Sequence, residues 1–359
     1  MTDISLHTIN ADAPLLEALA RLNRLSGGPM TLFVQNLGGR VTGSVTDGDI
    51  RRALLRGVCV TDPVSRAMNT SFHALEAHGD AHENVLRLRD MRLSGIVLAP
   101  VLDSEGRITE IIDLRVTASR LPIGAVLMAG GKGERLRPMT LTTPKPLLKI
   151  DGKAIIDYNV EALAAAGVTD VTVIARYLAE QLYDHFARPI AGLNVRVLTE
   201  DKPLGTIGGA RMALSRDTAT EHTLVMNSDL LTTVSFEDMY LRHVEENADV
   251  SVAVLPYTLS VPYAILSTDN NGCVTSIEEK PTYTYFANAG IYIFRNTVLL
   301  SMAEDTHMDA TDLIESVIAR GGKVVCHPVN GTWIDIGAPA DFQRASEMMR
   351  HHRDLSARR

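Results

Sequence analysis

The sequence predicts an α/β protein with a mixed, mostly parallel, doubly wound sheet, preceded by a smaller α+β domain. Short apolar runs alternate with helix-like stretches from residue 123 onward, as in strands that are buried on both faces. A chain of 359 residues exceeds one typical core, so more than one domain is expected. Its composition also changes near residue 121, because no lysine precedes Lys132. We therefore expect domains over residues 1–120 and 121–359.

The first domain has the pattern of a repeated α+β unit. PLLEALARLNRL places Leu15, Leu19 and Leu22 on one helical face. Strand-like TLFVQ and VTGSV follow around a glycine turn, and TDGDIRRALLRG predicts a second helix. A helix around residues 82–93 and the strands GIVLAPVLD and ITEII predict a weaker copy about 60 residues later.

The second domain has the pattern of a Rossmann-like sheet. GAVLMA, VTVIA, NVRVL and HTLVMN predict buried strands, and IIDYNVEALAAAG predicts a helix that ends at Gly167. YAILSTDNNGCVTSIEE resembles a hairpin around Asn271-Gly272, from which we expect the sheet to be mixed. Ligands of such sheets bind beyond the carboxyl ends of the strands.

Composition and charge exclude several classes of protein. Hydrophobic residues make up 45% of the chain and charged residues 22%, as in globular proteins. The net charge of −8 and the lack of a dense basic run argue against nucleic-acid and membrane partners. Three separated cysteines argue against structural zinc. The N-terminus does not resemble a signal peptide, and no apolar stretch is long enough to span a membrane, so the cytoplasm is expected.

The segment AGGKGERLRPMTLTTPKPLLKI, which follows the strand GAVLMA, predicts phosphate binding. Gly130, Gly131 and Gly133 would let the backbone turn tightly and approach an anionic ligand. Arg135 and Lys145 add the positive charge that phosphate oxygens require. Taken alone, the glycines fit a plain strand-to-helix turn equally well.

Two other phosphate motifs are absent from this segment. It lacks the Walker A sequence, and Leu136 occupies the third glycine position of the dinucleotide fingerprint. The complete segment instead resembles the signature of sugar-1-phosphate nucleotidyltransferases, GG-x-G-x-R-L-x-P-x-T…P-K-P-L-L. The resemblance implies the nucleotidyltransferase fold and transfer of a nucleoside monophosphate from a triphosphate to a sugar-1-phosphate. It also implies that Arg135 and Lys145 are catalytic.

Further segments resemble the same family in the same order: EDKPLGTIGGA, NSDLL, IEEKP, NAGIYIF and WIDIGAPADF. The resemblance implies that Asp229 is catalytic and that Asp229 and Asp335 bind Mg²⁺. Ala264 departs from the glycine of many relatives, which puts some sugar contacts in doubt. The implied nucleotide-binding residues are Ala129, Gly130, Gly131, Gly133, Glu200, Leu204, Gly205 and Thr206. The implied sugar-phosphate-binding residues are Glu279, Lys280, Asn288 and Gly290.

Each of these segments has a simpler explanation when it is taken alone. Asp229 could cap a helix, and Glu279 and Lys280 could be a solvated ion pair. The reaction itself requires no general base, because a phosphate monoester with a second pKa of roughly 6 is already largely dianionic at neutral pH. Catalysis would then depend on charge neutralisation and in-line positioning.

The first domain contains GSVTDGD, which matches the pattern G-h-x-T-x-x-D through Thr46 and Asp49. This part of the chain resembles a CBS-motif pair. The resemblance implies a regulatory adenine or guanine nucleotide at Thr46 and Asp49. The second copy, RITEIID, lacks the threonine and has Glu110 in place of glycine, so a second nucleotide site is not expected. A module that only packs subunits together is an equally good interpretation.

The order of the two domains resembles that of bacterial glucosamine-1-phosphate guanylyltransferases. The resemblance implies GTP as the favoured donor and a role in bacterial surface glycan biosynthesis. The resemblance to CBS modules, which commonly pair face to face, implies a homo-oligomer. The alternatives within the same chemistry are UTP or CTP as donor and mannose- or heptose-1-phosphate as acceptor. An alternative of another class is a catalytically silent nucleotide sensor, although a sensor does not need both metal-binding aspartates.

Overall fold

The computed structural model describes residues 2–215 and 218–356. They form two compact units. The first unit ends at Pro122 and includes Ala165–Gly167, and the second begins at Ile123. No helix in the described ranges is long and apolar enough to cross a bilayer.

The first unit contains two copies of one strand arrangement. Its elements are β1 Thr8–Asn10, α1 Leu15–Arg24, β2 Thr31–Gln35, β3 Val41–Thr46, α2 Asp47–Leu55, β4 Leu75–Glu76, α3 Ala81–Leu93, β5 Leu98–Leu102 and β6 Ile108–Asp113. In the first copy β1 is parallel to β2, and β2 is antiparallel to β3. In the second copy β4 is parallel to β5, and β5 is antiparallel to β6. The predicted internal repeat is therefore confirmed.

The helical pattern of the first unit explains its core. Leu15, Ala18 and Leu22 of α1 are buried at helical spacing, and Leu19 is half-buried beside them. They belong to one apolar cluster with Leu32 of β2. Burial of this stripe gives α1 the tertiary packing from which most helical stability comes.

The second unit contains the larger sheet. Its elements are β7 Ile123–Ala129, β8 Lys149–Ile150, β9 Lys153–Ala154, α4 Ile155–Ala165, β10 Asp170–Ala175, α5 Ala179–His185, β11 Val195–Thr199, α6 Gly205–Arg211, β12 His222–Asn227, β13 Leu230–Thr232, α7 Phe236–Glu245, β14 Val250–Ser260, β15 Ile265–Thr268, β16 Val274–Glu278, β17 Thr282–Arg295, α8 Asn296–Leu300, α9 Ala310–Ala319, β18 Val324–Pro328, β19 Trp333–Asp335 and α10 Pro339–Ser356.

The main sheet has the strand order β11-β10-β7-β12-β17-β14-β18. Strand β17 is antiparallel to both of its neighbours, and every other pairing is parallel. The predicted mixed, mostly parallel sheet is confirmed, but the reason given for the mixing is wrong. The expected hairpin forms as β15 and β16, in a separate two-stranded sheet. Its side chains are mostly exposed, whereas the central strands of the main sheet are largely buried on both faces.

The strand order positions the site. The chain leaves β7 toward β10 and β11 on one side, and returns as β12 on the other side of β7. Such a reversal opens a crevice at the carboxyl ends of the two central strands. The glycine-rich segment follows β7, and Asp229 follows β12 by two residues. Both phosphate-handling features therefore lie at the same edge of the sheet.

Candidate active site

Two aspartates that are distant in sequence are brought together by the short strands β13 and β19. These strands are antiparallel, and Leu230 lies opposite Asp335. The backbone N–H of Ile336 donates a hydrogen bond to the carbonyl of Asp229 at 3.1 Å. The pairing places Asp335 beside the residue that follows Asp229, so both carboxylates lie at the end of β12.

Lys145 lies between these two carboxylates. Only 9% of the residue is exposed. Its ammonium contacts Oδ2 of Asp229 and lies 3.7 Å from Oδ1 of Asp335. A buried lysine is costly unless it is paired, and here two anions supply the pairing. The structure thus brings together three of the side chains that the sequence implicated.

The environment of Asp335 opposes its ionisation. Burial raises the pKa of Asp335, and the negative charge of Asp229 raises it further, while Lys145 and Arg135 act in the opposite direction. Oδ1 of Asp229 and Oδ1 of Asp335 are both buried, and neither has a hydrogen-bond partner within the described residues. Each carboxylate therefore retains an acceptor oxygen without a hydrogen bond, and that of Asp335 faces the Lys145 ammonium at 3.7 Å.

These unsatisfied oxygens fit a magnesium ion. Mg²⁺ prefers oxygen ligands and is usually bound by one or two carboxylates together with substrate phosphates. In the described ranges no group of three or more His, Cys, Asp or Glu side chains could hold a metal by itself. Two carboxylates with open acceptor positions match a metal that is completed by the substrate.

Arg135 approaches the same place from the glycine-rich loop. It follows Gly133, whose φ of 60° is left-handed and suits glycine. The guanidinium packs on Gly337, where an added Cβ would lie 3.1 Å from its Nη2. Gly337 comes two residues after Asp335, so the missing side chain leaves room for the cation beside the carboxylate. No sequence motif indicated this role of Gly337.

One apolar cluster anchors the segments that carry these side chains. It includes Leu136, Leu148, Leu231, Ile334 and Ile336, all buried. Leu136 adjoins Arg135 in the chain, and the two isoleucines flank Asp335. The charged groups therefore project from backbone that hydrophobic packing holds in position, which is the arrangement that preorganised electrostatics requires.

Polar contacts hold the loop between Gly133 and Lys145. The hydroxyl of Thr140 donates to the carbonyl of Gly133 at 2.8 Å. The hydroxyl of Tyr177 reaches the carbonyl of Thr140 at 3.0 Å, and Gln181 donates to the carbonyl of Thr142 at 2.8 Å. Tyr177 and Gln181 were not predicted from the sequence. The available signal was the position of Tyr177, which comes two residues after β10 at the carboxyl end of the sheet.

Glu200 packs against Gly130, at the start of the glycine-rich loop. It is 7% exposed, and an added Cβ on Gly130 would lie 2.7 Å from its Oε1. Oε1 is 3.4 Å from Nε of Arg176, and Oε2 accepts the backbone N–H of Leu204 at 3.4 Å. Burial raises the pKa of Glu200, while the Leu204 N–H and the Arg176 charge oppose the rise. The carboxylate is thus already engaged by the protein.

The remaining residues predicted to bind the nucleotide lie on either side of this carboxylate. Ala129 ends β7, and a Cβ on Gly131 would meet no atom within 4 Å. Gly205 and Thr206 begin α6, where Oδ1 of Asp309 accepts the N–H of Thr206 at 3.1 Å. The start of α6 is therefore partly capped by the chain, while the backbone at Gly131 is open to a ligand.

The four residues predicted to bind the sugar phosphate are divided between two places. Asn288 and Gly290 are on β17, where an added Cβ on Gly290 would lie 2.7 Å from Nδ2 of Asn227. Glu279 and Lys280 are exposed and come just before β17. Six residues of strand separate the start of β17 from Asn288, or about 20 Å of extended chain. The structure therefore does not bring Glu279 and Lys280 close to Asn288.

Thr46 and Asp49 form a helix cap in the first unit. The backbone N–H and the hydroxyl of Thr46 donate to Oδ2 of Asp49, at 2.9 and 2.6 Å. The N–H of Asp49 donates back to the hydroxyl at 3.3 Å, which completes a capping box at α2. Capping accounts for both residues without a ligand, so the regulatory nucleotide stays a prediction.

Comparisons with known proteins match both units. Residues 124–352 match the Nucleotidyl transferase family, and residues 1–56 match the CBS domain family. A mannose-1-phosphate guanylyltransferase catalytic subunit beta of Drosophila pseudoobscura pseudoobscura is 33% identical over 226 residues, 61% of this chain and 60% of that protein. The mannose-1-phosphate guanyltransferase beta-B of Xenopus laevis is 33% identical over 229 residues, 61% of this chain and 62% of that protein. The match thus spans about three fifths of each of these relatives.

A solved structure has the same fold as the second unit. It is a Bacillus anthracis protein, provisionally assigned as a glucose-1-phosphate thymidylyltransferase, in complex with sucrose. The similarity has a TM-score of 0.51 at 21% identity, and covers 64% of this chain and 95% of that chain. At this identity the similarity supports the fold alone.

Proposed function

The chain belongs to the nucleotidyl transferase family, and we propose that it transfers a nucleoside monophosphate from a nucleoside triphosphate to a sugar-1-phosphate. The observation that carries the proposal is the convergence of Lys145, Asp229 and Asp335 beside the glycine-rich loop. Cations next to carboxylates with open oxygens suit a reaction between two polyanions. The transfer would release pyrophosphate.

In the proposed reaction the acceptor phosphate is itself the nucleophile. One of its oxygens attacks the α-phosphorus, and the bond from that phosphorus to the pyrophosphate oxygen breaks. The protein has no proton to remove, since the acceptor phosphate is largely dianionic at neutral pH. Arg135 and Lys145 would bind phosphate oxygens and reduce the repulsion between the two substrates.

Asp229 and Asp335 are proposed to hold Mg²⁺ through their open oxygens. When bound, the ion would supply positive charge to the phosphate oxygens that it contacts. The two carboxylates repel each other, and Lys145 offsets this repulsion from its position between them. Lys145 thus keeps the two carboxylates close together, while the glycine-rich loop presents Arg135 to the nucleotide.

GTP is the proposed donor. Both relatives described above are named as guanylyl- or guanyltransferases, and their named acceptor is mannose-1-phosphate. Those names favour mannose-1-phosphate, whereas the domain order favours glucosamine-1-phosphate and a role in bacterial surface glycan biosynthesis. We propose a hexose-1-phosphate acceptor, with these two compounds as the leading candidates.

Glu200 is proposed to act in nucleotide binding through the backbone around it. Its carboxylate faces Gly130 and binds the N–H of Leu204, which places it between two predicted nucleotide-binding segments. Glu200 is only 7% exposed, and each of its oxygens already faces a group of the chain, Arg176 or the Leu204 N–H. We therefore assign Glu200 the positioning of both segments.

Pyrophosphate release from a substrate panel tests the proposal. The full chain with Mg²⁺ is given GTP, UTP, CTP or ATP, each with mannose-, glucosamine-, heptose- or glucose-1-phosphate. We expect the highest rate with GTP and one of the first two acceptors. A higher rate with UTP at equal concentration would overturn the choice of base. Nucleotide binding without pyrophosphate release from any pair would favour the silent sensor.

A further inference from the structure

A buried amide lies on helix α4, which precedes β10. Asn159 is 3% exposed, and Ile156, Val160 and Leu163 of the same helix are buried as well. A buried side-chain amide costs free energy unless it is hydrogen-bonded, so its presence among apolar residues calls for an explanation. Its bond leads out of the helix to the main sheet, because Nδ2 of Asn159 donates to the backbone carbonyl of Ser228 at 3.1 Å.

Ser228 comes directly before Asp229, and its polar groups are all hydrogen-bonded within the chain. It is 2% exposed and follows the last residue of β12. Its backbone N–H donates to the carbonyl of Met128 at 3.1 Å, and its hydroxyl donates to the same carbonyl at 2.7 Å. Since its own carbonyl accepts from Asn159, Ser228 is bound to β7 on one side and to α4 on the other.

The backbone of Asp229 is therefore held on both sides. The carbonyl that Asn159 binds belongs to the peptide group that joins Ser228 to Asp229. On the other side, the carbonyl of Asp229 accepts the N–H of Ile336 at 3.1 Å. A peptide group is planar, so a fixed carbonyl also fixes the N–H that follows it. The direction in which the Asp229 side chain leaves the backbone thus depends on the amide of Asn159.

We propose that Asn159 and Ser228 are positioning residues for Asp229, and that their hydrogen bonds maintain the metal affinity of the site. This role rests on the proposed function, in which Asp229 and Asp335 hold Mg²⁺. Mg²⁺ demands near-ideal octahedral geometry, so a small rotation of one carboxylate lowers its affinity. The partners that orient metal ligands typically contribute about tenfold to a hundredfold in affinity. Asn159 carries no charge, so its effect on the site is geometric.

The amino end of β12 provides a matched control. Asn296 is 6% exposed, its Nδ2 donates to the carbonyl of Thr220 at 2.7 Å, and its Oδ1 accepts the Thr223 hydroxyl at 2.6 Å. Thr223 is the second residue of β12, whereas Asp229 follows the other end of the strand. Leucine is close to asparagine in size but cannot donate a hydrogen bond. Asn159→Leu and Asn296→Leu therefore each remove a buried amide that binds the backbone, and only the first lies beside the proposed metal site.

Mn²⁺ is the probe, because the electron paramagnetic resonance signal of the free ion reports how much stays unbound. It is titrated up to millimolar concentration into the wild-type full chain, Asn159→Leu, Ser228→Ala, Asn296→Leu and Asp229→Asn. Ser228→Ala removes the hydroxyl bond to Met128 and so loosens the same segment with a smaller change in packing. Circular dichroism and thermal melts verify folding and measure the loss of stability in each variant.

We expect the wild-type chain and Asn296→Leu to bind Mn²⁺ alike, although Asn296→Leu should melt at a lower temperature. Asn159→Leu should raise the Mn²⁺ dissociation constant at least about tenfold, and Ser228→Ala should raise it by a smaller factor. Pyrophosphate release by Asn159→Leu should recover as the Mg²⁺ concentration is raised. A general loss of packing would not produce this recovery.

Wild-type Mn²⁺ affinity in folded Asn159→Leu would overturn the proposal, as would an equal loss of affinity in Asn296→Leu. If Asn159→Leu does not fold, Ser228→Ala decides, because an unchanged dissociation constant overturns the positioning role and a raised one supports it. Equal Mn²⁺ binding by the wild-type chain and Asp229→Asn would refute the metal site of the proposed function, and the positioning role with it. Loss of Mn²⁺ binding in Asp229→Asn alone would support that metal site and refute only the positioning role.

Discussion

The ammonium of Lys145 lies 3.7 Å from Oδ1 of Asp335 and also contacts the carboxylate of Asp229. One cation is therefore shared by two anions, one of which has its pKa raised by burial and by the other. Removing any one of these three charges therefore changes the electrostatic environment of the other two side chains. The effects of substitutions at these positions should consequently be non-additive.

Asp229→Asn and Asp335→Asn should each reduce turnover by roughly a hundredfold or more, comparable to the loss of one preorganised electrostatic contact. Both variants should fold, because Asn keeps the shape of Asp and the other carboxylate still faces the buried Lys145 ammonium. The measurement is pyrophosphate release at saturating Mg²⁺. The control is Asp170→Asn, at the start of β10 on the opposite edge of the sheet. Near-normal turnover of either variant would show that the substituted aspartate does not bind the metal.

Lys145→Met should lower turnover strongly with little change in triphosphate affinity, since its charge is needed most when the two phosphates meet. Steady-state kinetics with each substrate varied separates the two effects. Lys280→Met is the contrasting variant, and should mainly raise the KM for the sugar-1-phosphate. Lys280 is exposed and comes two residues before β17. Unchanged kinetics in Lys280→Met would show that the family role does not carry over to this residue.

The strands that carry the site could be predicted, but the contacts that assemble it could not. GAVLMA and HTLVMN are continuous apolar runs, and they form β7 and β12. Strands β13 and β19 have three residues each, too few to show any period, so their pairing was not foreseen. The position of Tyr177 after β10 places it at the carboxyl end of the sheet, but the contact of its hydroxyl with the distant Thr140 leaves no local pattern in the sequence.

Gly133→Ala should destabilise the loop and reduce turnover. The left-handed φ of Gly133 costs another residue roughly 1–2 kcal/mol, and the new Cβ would lie 2.9 Å from Cγ2 of Thr140. Thermal melts and pyrophosphate release measure the two effects. Gly131→Ala is the matched control, since its Cβ would meet no atom within 4 Å. Its melting temperature should not change, while its triphosphate KM should rise if phosphates approach this backbone. Equal melting shifts in the two variants would contradict this account.

His243 should make the second unit sensitive to acid. It is fully buried between Ser251 and His222, and burial lowers its pKa to about 3, with the His222 charge adding to the effect. Between about pH 6.5 and pH 3 the imidazole of His243 is protonated in the unfolded state but neutral in the folded state. The free energy of unfolding therefore falls as the pH falls through this window. This residue alone predicts a loss of about 2 kcal/mol between pH 7 and pH 5.

Urea unfolding at pH 7 and pH 5 measures this loss. His243→Gln should reduce the difference between the two pH values by about the same 2 kcal/mol, whatever it costs at pH 7 through altered packing. The control is His351→Gln, which replaces an exposed imidazole in the same unit. An unchanged pH dependence in His243→Gln would assign the acid sensitivity to other groups.

Asp49→Ala separates capping from nucleotide binding in the first unit. Its carboxylate completes the capping box with Thr46, so its loss should cost about 1 kcal/mol of stability whether or not a ligand binds there. If the pair also binds a ribose, calorimetry on the full chain with AMP should detect binding that Asp49→Ala abolishes. Asp47→Ala is the control, because Asp47 also lies in the first turn of α2 but outside the box. AMP binding that survives in Asp49→Ala would show that Thr46 and Asp49 act only as a helix cap. Regulation would further require AMP to bind one of two states of the enzyme more tightly than the other.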